Sequence, residues 1–145
     1  MKEKLLISSC LLGNNVKYNG KNNYVEGIYK LKDLYDLVIV CPEVMGGLSI
    51  PRIPSEIIND EVINKEKINV TKEFNKGKDI VLDLVKKYDI KKALLKDGSP
   101  SCGSTYIYDG TFTGKRIKSL GITSRFLKEL NIKIYTENNW MELLK

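Results

Sequence analysis

The stretch KALLKDGSPSCG, residues 92–103, decides the fold expected for this chain. Its first part, Lys92–Lys96, is apolar at its centre, as a strand buried on both faces of a sheet is. Its second part is rich in Gly, Ser and Pro, which are typical of a loop. The loop contains one cysteine, Cys102, and the rest of the sequence indicates what this cysteine could do.

Comparable patterns recur along the chain. Short apolar runs predict three further strands, over residues 4–9, 36–40 and 132–135. Apolar positions at helical spacing predict a long helix that begins with an N-cap at Thr71 and extends to Tyr88. Shorter helices are predicted over residues 26–34, 123–130 and 138–144. Residues 42–63, which hold three of the four prolines, are interpreted as irregular.

Strands that alternate with helices predict a parallel sheet with helices on both faces. We therefore expect an α/β fold, namely a Rossmann-like three-layer domain with a mostly parallel sheet of about four or five strands. No linker, repeat or low-complexity block divides the sequence, so a single domain is expected over residues 1–145. In such folds the functional site lies at the carboxyl edge of the sheet.

The composition narrows the chemistry that the chain can perform. It contains no histidine, which excludes Ser-His-Asp catalysis, Cys-His catalysis and histidine metal ligands. The three cysteines form no CxxC pair, which argues against a disulfide framework, a thioredoxin-like motif and a zinc ribbon. No apolar run is long enough for a membrane span, and the one at the N-terminus is too short for a signal peptide. A cytoplasmic protein without a membrane partner is expected.

The net charge of +6 permits an anionic partner such as a nucleic acid. Most lysines, however, lie on predicted helix faces beside Asp or Glu, as Lys86 and Lys87 do near Asp89, and such lysines usually form a solvated face. The sequence also lacks a basic helix interleaved with aromatic residues. Nucleic acid is therefore an unfavoured partner, and the sequence leaves the oligomeric state open.

Each cysteine follows a predicted strand. Cys10 comes after the first strand, Cys41 after the second, and Cys102 follows the third by a short loop. Because the carboxyl ends of parallel strands meet at one edge of the sheet, we expect the three thiols to lie close together. Taken singly, each could be a small buried hydrophobe. Their equivalent positions, none of them inside a strand or helix, favour a shared site.

Three thiolates without histidine suit a soft metal. A closed structural zinc site would need a fourth Cys or His ligand. An iron–sulfur cubane ordinarily takes four cysteines, so three would leave one iron open to act as a Lewis acid. The residues alone leave the identity of the metal open.

Polar residues beside the cysteines are the candidates for acid–base work. Glu43 lies two residues after Cys41 and is predicted to be a general acid/base, although a Glu in a first helical turn after Pro42 would give the same pattern. Ser99 and Ser101, just before the third cysteine, are predicted to bind substrate or relay a proton, although both are also common turn residues.

Two further residues are predicted to bind substrate. Ser9 directly precedes Cys10. Arg52 lies in the stiff stretch 51–54, where its guanidinium could clamp an anion or a planar ring, or simply pair with a nearby Glu.

Several motifs together resemble one bacterial family. They are Ser9-Cys10-Leu11-Leu12-Gly13, Lys17-Tyr18-Asn19-Gly20, Cys41-Pro42-Glu43, Gly46-Gly47-Leu48, Pro51-Arg52-Ile53-Pro54-Ser55-Glu56, Ser99-Pro100-Ser101-Cys102-Gly103 and Tyr108-Asp109-Gly110-Thr111-Phe112-Thr113-Gly114. The family is that of the thiouracil desulfurases, formerly a domain of unknown function, and the resemblance covers about residues 5–137.

The resemblance implies a [4Fe-4S] cluster held by three cysteines, which fall here on Cys10, Cys41 and Cys102. It also implies a non-redox reaction in which the open iron takes sulfur from a thiolated nucleobase such as 2-thiouracil. An acidic residue and a serine near the cluster are implied to assist, and these fall on Glu43 and on Ser99 or Ser101.

One motif departs from the family pattern. Where the family usually shows Arg-Tyr-Asp-Gly, this chain has Lys17 and Asn19 in place of the Arg and the Asp. A desulfurase is the leading hypothesis, and the alternative is a non-catalytic metal or iron–sulfur binding module for storage, sensing or assembly. A nucleic-acid-binding domain, which rests on the charge alone, comes third.

Overall fold

The computed structural model of the chain describes residues 2–145. Met1 lies outside the described residues, and the single domain predicted over 1–145 stays a prediction. The elements in chain order are β1 (Glu3–Ser8), a 3-10 helix (Ser9–Leu12), a second 3-10 helix (Ile28–Asp33), β2 (Tyr35–Val40), α1 (Pro42–Met45), β3 (Ser55–Ile58), β4 (Glu61–Asn64), α2 (Thr71–Lys87), β5 (Lys92–Leu94), β6 (Ile107–Tyr108), β7 (Arg116–Ile117), α3 (Ile122–Glu129), β8 (Lys133–Tyr135) and a third 3-10 helix (Trp140–Leu144).

A four-stranded sheet with the order β2-β1-β5-β8 forms the centre of the fold, and every neighbouring pair of strands is parallel. Leu6 of β1 lies opposite Val38 on one side and Ala93 on the other. Leu5, Leu6 and Ile7 are all fully buried, because β1 is an inner strand covered on both faces. The apolar runs of the sequence therefore form the sheet, and the expected mostly parallel α/β fold is confirmed.

Helices cover both faces of the sheet, which confirms the three-layer arrangement. On one face, α2 and α3 supply Val81, Val85 and Leu127, which pack against Leu6 and Ala93. On the opposite face, the three 3-10 helices supply the residues that pack against β1; they are Leu11, Leu12, Ile28, Leu31, Trp140 and Leu143. No helix within residues 2–145 is long and apolar enough to cross a membrane.

Three segments differ from the elements predicted for them. Residues 26–34 and 138–144, predicted as α-helices, contain shorter 3-10 helices. Residues 42–63, interpreted as irregular, contain α1 and the antiparallel β3–β4 hairpin. The two residues of the hairpin turn, Asn59 and Asp60, have positive φ angles of 51° and 64°, as a tight turn between twisted strands requires.

Thr71 is not the N-cap of α2, so that prediction is wrong. It is the first residue of the helix, and Val70 occupies the cap position without a capping side chain. The Thr71 Oγ1 atom instead accepts a hydrogen bond from the Val62 N–H at 2.8 Å. Thr71 therefore ties the β3–β4 hairpin to the start of α2.

A small separate core supports two antiparallel hairpins, β3–β4 and β6–β7. Its buried residues come from both hairpins and from the starts of α2 and α3; they are Ile57, Val62, Val70, Phe74, Ile107 and Ile122. The same segments contribute Ser55, Glu56, Tyr108 and Phe112 to the wall of a cavity at the sheet edge. The hairpins are therefore part of the frame of this cavity.

Two glycines allow α1 to lie directly against α2. A Cβ atom on Gly77 would lie 1.8 Å from the Pro42 carbonyl oxygen, and one on Gly46 would lie 1.9 Å from the Glu73 carbonyl oxygen. Both neighbouring atoms belong to the backbone, so neither can move without displacing a helix. The contact fixes α1, whose first turn contains Glu43, against the longest helix of the fold.

We expect Gly77→Ala to destabilise the protein by about 1–3 kcal/mol or more, because the added methyl group would overpack a backbone contact. In an ordinary helix interior the same change stabilises by about 0.5–1 kcal/mol, so the sign of the effect is diagnostic. The measurement is urea unfolding of the cluster-free protein, with Asn75→Ala at an exposed position of α2 as the control. A stabilised Gly77→Ala variant would contradict the close contact.

Candidate active site at the carboxyl edge of the sheet

A cavity of about 530 Å³ lies at the carboxyl edge of the sheet. All the site residues predicted from the sequence line it, and they are Ser9, Cys10, Cys41, Glu43, Arg52, Ser99, Ser101 and Cys102. These residues come from segments up to 93 positions apart in the chain, counted from 9 to 102. The sheet therefore brings the predicted set together, whereas the role of each residue stays a prediction.

The three cysteines reach the cavity from three different strand ends. Cys10 lies inside the 3-10 helix that follows β1 directly, so the expectation that no cysteine lies within a helix is wrong for this residue. Cys41 follows β2 and holds the N-cap position of α1, in front of Pro42. Cys102 lies in the loop after β5 and is only 5% exposed. The expectation that strand order would gather the three thiols is confirmed.

Burial is the largest influence on the three thiols. It raises the pKa of Cys102 to about 12, and it also raises the pKa of Cys10 and of Cys41. Without a metal, burial therefore favours the protonated, uncharged form of each thiol. Because a metal binds the thiolate form, metal binding at this site must release protons.

Glu43 is held by a different partner at each of its two oxygens. Oε1 accepts a hydrogen bond from Arg52 Nε at 3.0 Å, and Oε2 accepts one from Ser101 Oγ at 3.1 Å. Ser101 Oγ lies 3.1 Å from Ser99 Oγ, which in turn accepts the Cys102 N–H at 2.7 Å. A continuous chain of hydrogen bonds therefore joins the carboxylate to the main chain of a cysteine.

Arg52 pairs with Glu43. Pairing with a nearby Glu was one of the two alternatives that the sequence left open for this residue. Its side chain is only 8% exposed, and it also donates from NH1 to the Ser49 carbonyl at 3.2 Å. Its main-chain N–H donates to the Tyr18 carbonyl at 2.7 Å. Arg52 thereby fixes one oxygen of Glu43 and leaves the other facing Ser101. Substrate binding by Arg52 stays a prediction.

The remaining predicted residues have local partners. Ser9 Oγ accepts a hydrogen bond from Asn14 Nδ2 at 2.9 Å, and its contact with substrate stays a prediction. Lys17 lines the cavity. Asn19 forms a local turn instead, because its Oδ1 accepts the Lys21 N–H at 3.0 Å. An amide oxygen serves this turn as a carboxylate oxygen would.

Sequence reasoning missed an ion pair in the cavity wall. Lys96 Nζ lies 2.8 Å from Glu137 Oε2, and Glu137 Oε1 accepts the Asp97 N–H at 2.9 Å. Burial lowers the pKa of Lys96, but the hydrogen bond and the charge of Glu137 outweigh it, so the pKa is raised and the ammonium persists. The sequence did carry a signal for this ion pair, because Lys96 lies at the end of a predicted strand that is otherwise buried.

Sequence reasoning also missed the group that orders the cysteine loop. The buried Asp97 carboxylate accepts the N–H groups of Gly98, Ser104 and Thr105 through Oδ1, at 2.9–3.0 Å. Burial raises the pKa of Asp97, but a hydrogen bond from the Thr105 hydroxyl and these main-chain hydrogen bonds outweigh that effect and lower the pKa. Gly98 has a φ of 84°, which glycine adopts without strain, and this lets the chain turn around the carboxylate.

A family model places the chain among known proteins. The model of the 2-thiouracil desulfurase family matches residues 5–139, nearly the whole sequence. The chain belongs to this family. The resemblance inferred from the motifs is therefore confirmed, and its extent agrees to within two residues at the far end, 137 against 139.

Two proteins are similar to this chain along almost its whole length. The protein YbbK of Bacillus subtilis (strain 168), described as uncharacterized, is 39% identical over 150 aligned positions, which span 97% of this chain and 99% of YbbK. A solved structure, the [4Fe-4S]-dependent thiouracil desulfidase TudS, superposes with a TM-score of 0.92 at 38% identity. That match covers 99% of this chain and 96% of TudS.

Proposed function

We propose that this member of the 2-thiouracil desulfurase family removes sulfur from a thiolated nucleobase such as 2-thiouracil, giving uracil and sulfide. The observation that carries the proposal is one cavity lined by three thiols, two of them buried and that of Cys41 half-buried, beside a carboxylate–hydroxyl pair. TudS, which shares the fold along almost its whole length, is named for the same reaction and for a [4Fe-4S] cluster. A non-catalytic storage, sensing or assembly module is not favoured, since such a module has no need of the Glu43–Ser101 pair.

The donor set fits a [4Fe-4S] cluster held by Cys10, Cys41 and Cys102. All three thiols line one cavity, and soft thiolates are the usual ligands of iron–sulfur clusters. Asn23 and Ser8 already direct hydrogen-bond donors at two of the sulfurs, as residues around metal ligands commonly do. Within residues 2–145, no three His, Cys, Asp or Glu side chains meet closely enough to chelate a single metal ion.

The reaction exchanges a C=S bond for a C=O bond, with water as the oxygen source. Water therefore gives up its protons, sulfide takes them up, and no electron is consumed. When bound, the cluster supplies an open iron that acts as a Lewis acid toward the substrate sulfur. The part left to the protein is to bind the base, to position the water and to move the protons.

Glu43 is the group that we assign to proton transfer. In a chain without histidine it is a cavity carboxylate that directly contacts a hydroxyl group of the cysteine loop. Its Oε2 atom accepts a proton from the attacking water and later returns a proton toward the departing sulfur. Ser101 orients this oxygen, and Ser99 orients Ser101. The Arg52 ion pair holds the other oxygen, so the carboxylate cannot rotate away.

Two of the cations that line the cavity are paired with a carboxylate, Arg52 with Glu43 and Lys96 with Glu137. We place the enzyme in the cytoplasm, because its three unpaired thiols suit a reducing compartment.

The test is to purify the protein without oxygen, measure iron and sulfide, and incubate it with thiolated bases, nucleosides and tRNA. We expect about four iron and four sulfide per chain, together with sulfide release and loss of thione absorbance for a small thiolated base. A protein that holds the cluster but releases sulfide from none of these compounds is a binding module. A colourless protein that contains zinc has a different metal site.

A further inference from the structure

Two ligand sulfurs receive hydrogen bonds from side chains that the proposed reaction does not use. Asn23 Nδ2 donates to Cys10 Sγ at 3.3 Å, and Ser8 Oγ donates to Cys102 Sγ at 3.7 Å. Ser101 also reaches Cys102 Sγ, at 3.7 Å, but its hydroxyl contacts Glu43 as well. Asn23 and Ser8 have no such second assignment, which leaves their contacts with sulfur to be explained.

The geometry around Asn23 is fixed from two sides. Its main-chain N–H donates to the Cys10 carbonyl at 3.0 Å while its side chain donates to the sulfur of the same cysteine. The residue therefore holds one position relative to Cys10. It also lines the cavity, so the amide lies at the site and not behind it.

The geometry around Ser8 directs its hydroxyl proton. Ser8 is the last residue of the inner strand β1 and is only 4% exposed. Its Oγ accepts the Lys96 N–H at 3.0 Å, which engages one of the two oxygen lone pairs. The hydroxyl proton remains available, and it donates to Cys102 Sγ at 3.7 Å.

Hydrogen bonds to ligand sulfurs change the electronic state of an iron–sulfur cluster. A donor withdraws electron density from the thiolate, stabilises the more reduced cluster and raises its reduction potential. The same withdrawal makes the irons poorer in electrons and therefore stronger Lewis acids. In a reaction that depends on an open iron, such donors would increase the rate although no electron is transferred.

We propose that Asn23 and Ser8 are positioning residues that raise the Lewis acidity of the cluster by donating hydrogen bonds to the sulfurs of Cys10 and Cys102. Both act through a ligand and neither touches the substrate in this role. The inference rests on the proposed function, because it requires that the two cysteines hold the cluster.

The experiment compares Asn23→Ala and Ser8→Ala with two matched controls. Asn22→Ala removes a neighbouring amide that bonds to Asn15 and to no cysteine. Ser124→Ala removes a buried hydroxyl that donates to the carbonyl oxygen of Cys102, 2.8 Å away, and not to its sulfur. Each variant is loaded with cluster without oxygen, and its iron content, midpoint reduction potential and sulfide release are measured.

We expect each of the two test variants to keep its iron. The midpoint reduction potential of its cluster should fall by about 59 mV, which makes the one-electron reduction about tenfold less favourable. The rate of sulfide release should fall in the same order as the potential, while both controls keep the wild-type potential.

A test variant that retains full iron and the wild-type potential overturns the assignment of that residue. If Ser8→Ala fails to fold, Asn23→Asp decides, since it keeps the shape and replaces the donor by an acceptor. Wild-type protein without any cluster would overturn the proposed function itself.

Discussion

Replacing any one of the three cysteines with alanine is expected to reduce the iron content to less than about a tenth of the wild-type value, because two thiolates hold a cubane poorly. The loss should be of similar size for Cys10→Ala, Cys41→Ala and Cys102→Ala. All three reach the same cavity, from β1, from β2 and from the loop after β5. The measurement is iron and sulfide per chain after anaerobic reconstitution, with the visible absorption of the cluster as a second readout.

The matched control is Ser9→Ala, which changes a cavity residue directly beside Cys10 without removing a thiol. It should retain the iron of the wild type. Far-ultraviolet circular dichroism distinguishes a lost ligand from an unfolded chain, since the cluster-free variants should keep the spectrum of the cluster-free wild type. A cysteine variant with full iron and full turnover would remove that residue from the ligand set.

The sheet and its edge could be predicted because their signals lie in the chain itself. Three consecutive apolar residues, such as Leu5, Leu6 and Ile7, are typical of a strand that is buried on both faces of a sheet, and all three are fully buried. Once four such runs are recognised, the position of each cysteine after a strand fixes its place at the edge. The catalytic candidates followed from that placement, because Glu43, Ser99 and Ser101 lie within three residues of a cysteine.

Local structure between the strands was harder to predict. Helix α1 has only four residues, too few for an apolar period to show. The β3–β4 hairpin did carry a signal, since Asn59 and Asp60 separate two short apolar runs and both tolerate a positive φ. The 3-10 helices within residues 26–34 and 138–144 could not be distinguished from α-helices, because side-chain periodicity over six residues does not separate the two forms.

Most partners that act through hydrogen bonds could not be predicted. Ser8, Asn23 and Glu137 are ordinary polar residues in the sequence, and Glu137 lies 40 positions from the Asp97 N–H that it accepts. Their contribution depends on where each side chain points after the sheet has formed. The pairing of Arg52 with Glu43 was recognised as one of two possibilities, and the 3.0 Å contact establishes it.

The second large effect is expected at Glu43. Glu43→Gln should keep the cluster but reduce the rate of sulfide release by about 10²-fold or more, the usual scale for loss of a general acid/base. The substitution keeps the size and planarity of the side chain, and its amide oxygen can still accept the hydrogen bond from Arg52 Nε. What it removes is a group that can take up and return a proton. The measurements are iron content and initial rates of sulfide release from 2-thiouracil.

The matched comparison is Glu56→Gln, which alters a second carboxylate in the cavity wall. Glu56 Oε1 accepts the N–H groups of Gly110 and Phe112 at 2.9 and 3.1 Å, so its role is to hold a loop. A much smaller loss of rate is expected there than at Glu43. This comparison separates proton transfer from a general need for negative charge in the cavity.

The chain of hydrogen bonds from Glu43 through Ser101 to Ser99 predicts the relative size of the rate loss for a substitution at each of the three residues. Ser101→Ala should reduce the rate less than Glu43→Gln does, because it removes the hydroxyl that orients Oε2 at 3.1 Å and also contacts Cys102 Sγ, but it leaves the proton acceptor in place. Ser99→Ala should have the smallest effect, because Ser99 reaches the carboxylate only through Ser101. If Glu43→Gln turned over at nearly the wild-type rate with its iron intact, the proton would travel by another route. Glu43 would then be no more than the acidic residue in the first turn of α1.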